Sequence, residues 1–175
     1  MFDARIFIDS LDDARAILRK ENADYKGEYI IHDIIYRSKD PNVGLEKSFL
    51  RLRIVPKNIW NERPVNVVIK NTEIREVGKK SIIPVRQDFD TREEAEKFIE
   101  DNYLGDFEYD YEFDRTGWQY FIGEDGVDLE DIEGHMSIEF KSKTEDGLRS
   151  LMQKFNARDP IRGPSVVKVR EILNI

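Results

Sequence analysis

Several short stretches of this chain place charged residues two apart, or alone, inside otherwise apolar runs. They are Asp3 and Arg5, Arg51 and Arg53, Lys70, Arg86 and Asp88, and Glu139 with Lys141. On a β-strand, side chains two apart share a face. In FLRLRIV, 49–55, Leu50, Leu52 and Ile54 therefore line one side and both guanidinium groups the other. Guanidinium donors match phosphate oxygens two at a time and keep their charge wherever they are placed. Carboxylates interspersed with them suit Mg²⁺ or Mn²⁺, hard cations that bridge protein oxygens to substrate phosphates. A basic ring with a carboxylate cluster in a confined space is what phosphoryl transfer needs. A solvated strand face explains any one such pair, but the recurrence in nearly every long strand points to a shared interior. Burying arginines there without partners costs several kcal/mol per ion, which a polyanion would offset.

The elements that must position these residues are legible from periodicity and turn chemistry. Alternation over 2–8 predicts a strand, and Ser10 with Asp13 predicts a capped helix carrying Leu11, Ala14, Ile17 and Leu18 on one stripe. Strands are expected at 28–37, 47–55, 65–70 and 81–88, the last marked by Pro84 as an edge or bulge. Thr91 with Glu94 opens a second helix. Strands follow at 107–113, at 118–123 after a turn at Gly117, at 127–132 and at 135–141. A helix over 144–156 presents Leu148, Leu151, Met152 and Phe155, and a loop with Pro160, Gly163 and Pro164 leads to a short helix at 165–173. The reading is α+β: about eight antiparallel strands, closed or nearly closed into a barrel with a polar interior, and helices packed outside. No low-complexity linker divides the chain, so 1–175 is read as one domain with its core at about 2–156.

Composition narrows the function. Twenty-eight basic against 36 acidic residues, a net charge of −8, oppose a general nucleic-acid surface while leaving room for a local basic cavity. The absence of cysteine excludes disulfides and thiolate metal sites. No apolar run is long enough to cross a bilayer and no leader pattern opens the chain, so a cytoplasmic location is expected. His32 and His135 read as structural, and Gly44, Gly78 and Gly117 as turn glycines with no phosphate-binding loop among them. Tyr109, Tyr111 and Phe113 share the parity of Arg115 and read as core or as a stacking wall. Glu108, Asp110, Glu112 and Asp114 oppose them as a solvated face.

The order of elements, with LRLR at 50–53, the lysine of VVIK, RQD at 86–88 and SIEF at 137–140, resembles the CYTH domain of the triphosphate tunnel metalloenzymes. That group includes class IV adenylyl cyclases, thiamine triphosphatases, inorganic triphosphatases and RNA 5′-triphosphatases. The resemblance implies a tunnel in which Arg51, Arg53, Lys70, Arg86 and Arg115 bind phosphates. It implies metal ligands at Asp3, Asp88, Glu130 and Glu139, and catalytic roles for Arg5, Arg53 and Glu139. The family's opening Glu-x-Glu-x-Lys falls on Met1, Asp3 and Arg5. Its late Lys-x-Arg falls on Phe113 and Arg115, and its final Glu-x-Glu on Ser137 and Glu139. The basic set is nearly whole and the carboxylate set thinned. The expected function is metal-dependent hydrolysis of a small-molecule triphosphate with Mg²⁺ or Mn²⁺, by a monomer or homodimer. The alternatives are a polyanion-binding module with reduced chemistry, a class IV-type cyclase, and a protein-binding domain with merely solvated strands.

Overall fold

The computed structural model describes residues 1–161 and 163–175. Eight antiparallel strands form it: β1 (Phe2–Phe7), β2 (Asp24–Ser38), β3 (Ser48–Lys57), β4 (Val65–Arg75), β5 (Gly78–Phe89), β6 (Phe107–Ile122), β7 (Asp125–Ile132) and β8 (His135–Ser142). They close into a barrel in the order β1-β5-β4-β3-β2-β6-β7-β8. The helices are α1 (Asp12–Lys20), α2 (Arg92–Asn102), α3 (Glu145–Lys154) and α4 (Ser165–Ile172). None is long and apolar enough to cross a membrane.

Alternation decides which side of each strand meets a helix. Leu50, Leu52, Val65 and Val67 point outward and pack with Ile34 beneath Ala95 and Ile99 of α2. Ala4, Val127, Leu129, Ile138 and Phe140 point outward on the far side, where α1 and α3 cover them with Leu18, Leu148 and Leu151. The apolar stripes thus wrap the barrel's exterior, and the charged faces have nowhere to go but in. Thr91 and Glu94 form the expected capping box. Thr144 accepts from the Gly147 backbone at 3.0 Å. Helix α1 begins later than expected, at Asp12, whose N–H donates to Ser10 Oγ at 3.2 Å.

Two features depart from the local reading. The strands expected at 107–113 and 118–123 are one, because Gly117 lies within β6 rather than in a turn and pairs with Tyr29 and Glu130. The seam between β1 and β5 is short, pairing only Phe2 with Lys80 and Asp3 with Lys79. Opposite Lys70 the β4–β5 register slips, a bulge that takes in Ile83 and Pro84. Beyond it, β5 runs on with no strand on its β1 side, consistent with a proline there.

One end of the barrel is plugged. Val166 and Val169 of α4 pack against inward-facing Ile35, Phe49, Tyr111, Phe113 and Ile132. The Tyr111 hydroxyl donates to the Val166 carbonyl.

Candidate active site

Between the α4 plug and the exposed Met1 and Ile83 lies a cavity of about 240 Å³, lined by both signs of charge. Arg51 and Arg53 reach it from β3, Lys70 from β4, Lys79 from β5 and Arg115 from β6. Asp128 and Glu130 come from β7, Glu139 and Lys141 from β8, Asp3 from β1 and Asp33 from β2. Phe49, Phe113 and Trp60 supply apolar wall. In the ring order β7 and β8 face β4 and β3, so the carboxylates of one wall look across the bore at Arg51 and Lys70.

Most of these charges are matched. Asp33, 2% exposed, takes both arms of Arg53 at 2.7 and 2.9 Å and one nitrogen of Arg115 at 3.2 Å. Asp3 accepts from Lys79 and, at 3.3 Å, from Ser81 Oγ. Glu130 is held by Arg5, by Arg115 at 3.1 Å and by the Tyr29 hydroxyl at 2.5 Å. Lys141 bridges Asp128 at 2.5 Å and Glu139 at 3.1 Å. Seven cations, counting Arg5 behind the wall, thus meet five carboxylates. The two left over are Arg51 and Lys70. Among the described residues the Nε of Arg51 has no hydrogen-bond partner, and its paired carboxylate, Asp33, stands at 3.8 Å. Lys70 pairs with no carboxylate among the described residues. In register, Phe49 opposes Lys70 and Arg51 opposes Val68, so the two free cations are diagonal neighbours on one wall.

The electrostatics follow. Burial pushes the Lys70 ammonium down to about 7, with Arg51 and Lys79 adding to the fall and Asp3 opposing it. Burial and Arg53 lower the Arg51 guanidinium to about 9, leaving it charged at neutral pH. Burial alone would raise Glu139, but Lys141, Arg5, Lys79 and Arg115 hold its carboxyl well below the usual range. Asp128 goes the other way, raised by burial and by the charges of Glu130 and Glu139 despite Lys141.

Asp128, Glu130 and Glu139 each place an oxygen within 4.8 Å of the others. That all-oxygen donor set suits a hard divalent cation. Lys141 shows where positive charge is already accommodated: its ammonium sits between two of the three, and its side chain, 33% exposed, has room to leave.

Of the expected site residues, Arg51, Arg53, Lys70, Arg115, Glu130 and Glu139 converge on the cavity. Asp3 lines it too, but as the partner of Lys79 rather than as a member of the carboxylate cluster. Arg5 does not line it; 1% exposed, it lies behind the carboxylates on Glu130, Glu139 and Ser137. Arg86 and Asp88 stay outside. Register puts them on the inward face of β5, opposite Val68 and Asn66, but that stretch has run past the end of β1. There Arg86 pairs with Glu62 at 2.8 Å and with Asp88 at 3.2 Å, both members of the latter pair about 40% exposed. Sequence reasoning missed Asp33, Lys79 and Asp128 as site residues. Asp128 and Glu130 carry the two-apart spacing in VDLEDI, and Asp33 is the lone carboxylate of a β-branched run, so the signal was there.

No protein-family model matches the chain, and no curated protein does. Solved structures do. The PH1819 protein from Pyrococcus horikoshii OT3 superposes with a TM-score of 0.74 at 19% identity, covering 98% of each chain. The Hippeastrum protein HpAC1, a candidate adenylyl cyclase with a dominant triphosphatase activity, gives 0.69 at 12% identity over 98% of this chain and 95% of its own. A candidate adenylate cyclase from Vibrio parahaemolyticus gives 0.63 at 15% identity over 100% and 99%. At such identities the likeness is one of fold. The fold is the closed antiparallel tunnel that the CYTH resemblance implies.

Proposed function

We propose that the tunnel binds a triphosphate-containing small molecule together with Mg²⁺ or Mn²⁺ and hydrolyses its terminal phosphoanhydride. One observation carries this reading: among the described residues, Arg51 and Lys70, diagonal neighbours on the cavity wall, are the cations left over when the cavity's carboxylates have been matched. Unpaired buried cations are unfavourable unless an anion joins them, and a polyphosphate supplies several charges at the spacing of two side chains. The triphosphatase activity of HpAC1, a protein of the same fold, supports the same substrate class.

Each wall has its task. Arg51 and Lys70 hold the phosphates, and Arg53 and Arg115, oriented by Asp33, stabilise the charge that develops on the transferred phosphoryl oxygens. A divalent cation held by Glu139 and Asp128 would polarise a phosphoryl oxygen and acidify a water. Glu139, held ionised by Lys141, Arg5, Lys79 and Arg115, brings the negative charge such a cation needs. Water adds to the terminal phosphorus, its proton passes to bulk water, and the diphosphate portion leaves.

The test is phosphate release from tripolyphosphate, thiamine triphosphate and ATP with each metal, alongside cyclic AMP formation from ATP. Wild type should turn over at least one substrate to free phosphate, and Glu139→Gln should lose about 100-fold or more. Cyclic AMP as the product would replace hydrolysis by cyclisation. Stabilisation by tripolyphosphate with no turnover would reduce the function to anion binding.

A further inference from the structure

Gly117, expected to be a turn, sits in mid-strand for a reason that reaches the carboxylate cluster. Tyr29, Gly117 and Glu130 are register partners in one row across β2, β6 and β7. A Cβ on Gly117 would lie 2.1 Å from Tyr29 Cζ and 2.3 Å from its hydroxyl oxygen. The missing side chain is the slot through which the Tyr29 ring crosses one whole strand and delivers its hydroxyl to the next. Glycine inside a strand marks such close approaches. The ring, 1% exposed, is backed by Trp60 at a centroid distance of 4.9 Å. Burial and the Glu130 charge hold its hydroxyl protonated, a fixed donor.

The delivered hydroxyl completes Glu130. A carboxylate has about four lone-pair positions. On Glu130, Oε1 accepts from Tyr29 at 2.5 Å and Arg115 at 3.1 Å, while Oε2 accepts from Arg5 and, at 3.3 Å, from Arg115. All four are in use. By contrast, among the described residues Glu139 meets only Arg5 at 3.2 Å and Lys141, and Asp128 only Lys141 and Gln119 at 3.3 Å.

Building on the function proposed above, we infer that Tyr29 is a positioning residue that keeps Glu130 out of the cation's ligand shell, leaving Asp128 and Glu139 as its protein ligands. A cation with two protein carboxylates keeps positions open for phosphate oxygens, the usual manner of binding Mg²⁺ at phosphoryl-transfer sites. Glu130 then serves the guanidinium groups of Arg5, behind the wall, and of Arg115, on it, and Gly117 is a second positioning residue because any side chain there displaces the hydroxyl.

Mn²⁺ alone, titrated against the full-length protein with the free-ion EPR signal as readout, tests this without phosphate or turnover. Tyr29→Phe retains the ring and frees one lone-pair position on Glu130 Oε1, so Mn²⁺ should bind about tenfold tighter, on the scale of outer-shell changes around metals. Gly117→Ala should shift affinity in the same direction by displacing the ring. Asp128→Asn added to Tyr29→Phe should remove the gain. Unliganded melting temperatures identify any variant whose fold is lost, and either single variant suffices. Mn²⁺ affinity that is unchanged or weaker in the folded variants overturns the inference, as does binding undetectable in wild type and variants alike. Failure of the proposed function has a separate signature: wild type neither stabilised by tripolyphosphate nor active, whatever the Mn²⁺ constants.

Discussion

Arg51 and Arg53 lie two residues apart and have the same chemistry, yet the tunnel gives them different roles. Arg53 is locked on Asp33 by two hydrogen bonds, whereas Arg51 lacks a partner for its Nε. Arg51→Ala should therefore abolish the rise in melting temperature caused by tripolyphosphate while leaving the unliganded protein as stable or more so, since it removes a buried charge whose nearest carboxylate stands at 3.8 Å. Differential scanning fluorimetry reads both. Lys70, held near neutrality by burial at about 7, should take up a proton when a polyanion arrives. Tripolyphosphate affinity should then fall as pH rises above about 7, and calorimetric binding enthalpies at neutral pH should depend on the buffer's own ionisation enthalpy. Asp33 carries the reverse sign. Burial would raise its carboxyl, but Arg53, Arg115 and Arg51 together depress it far below the unfolded value of about 3.9. A depressed carboxyl contributes stability that is fully present above the unfolded value and drains away as pH falls below it. Asp33→Asn should flatten the acid limb of the melting profile and, by orphaning the arginines, cost about 3–5 kcal/mol near neutral pH.

At the scale of elements, α4 and the β1–β5 seam do the most to define the cavity. Helix α4 turns an open bore into a one-ended one, with Pro164, Ser165 and Val166 at its floor. Val169 is fully buried there among inward-facing aromatic and aliphatic side chains. Val169→Asp would bury an unpaired carboxylate and should lower stability by several kcal/mol, measurable as a large drop in the denaturant midpoint. The helix itself was legible from Pro164 and the apolar spacing of its residues. Its place inside the barrel mouth was not, because an amphipathic eight-residue helix carries no mark of which surface it will cover. The same holds for β5. The proline flagged an edge, but that the edge would carry Arg86 and Asp88 past the end of β1 depends on a two-pair seam between strands far apart in sequence.

For the whole molecule, a chain of net charge −8 surrounds a cavity whose unmatched charge is positive. At long range the acidic surface repels a free polyanion, while at short range the cavity attracts it. Association of tripolyphosphate should accelerate as salt is added from about 0.01 M to 0.1 M, since screening over about 10 Å removes the repulsion first. Equilibrium affinity should fall over the same range. Stopped-flow fluorescence, using Trp60 on the cavity wall, follows both.

Alternation and capping in the sequence determined which residues form strands and which of their faces are apolar or charged. These are local matters, decided by a period of two and by a few turn and cap residues. Closure, register and the pairing of charges belonged to the tertiary structure. Whether Arg51 is free and Arg53 engaged, whether Arg86 reaches the bore, and whether Gly117 turns the chain or admits a ring depend on neighbours up to about a hundred residues away. Electrostatic partnership is set by distances of a few ångströms in space, and spacing along one strand carries no information about the strand that will lie beside it.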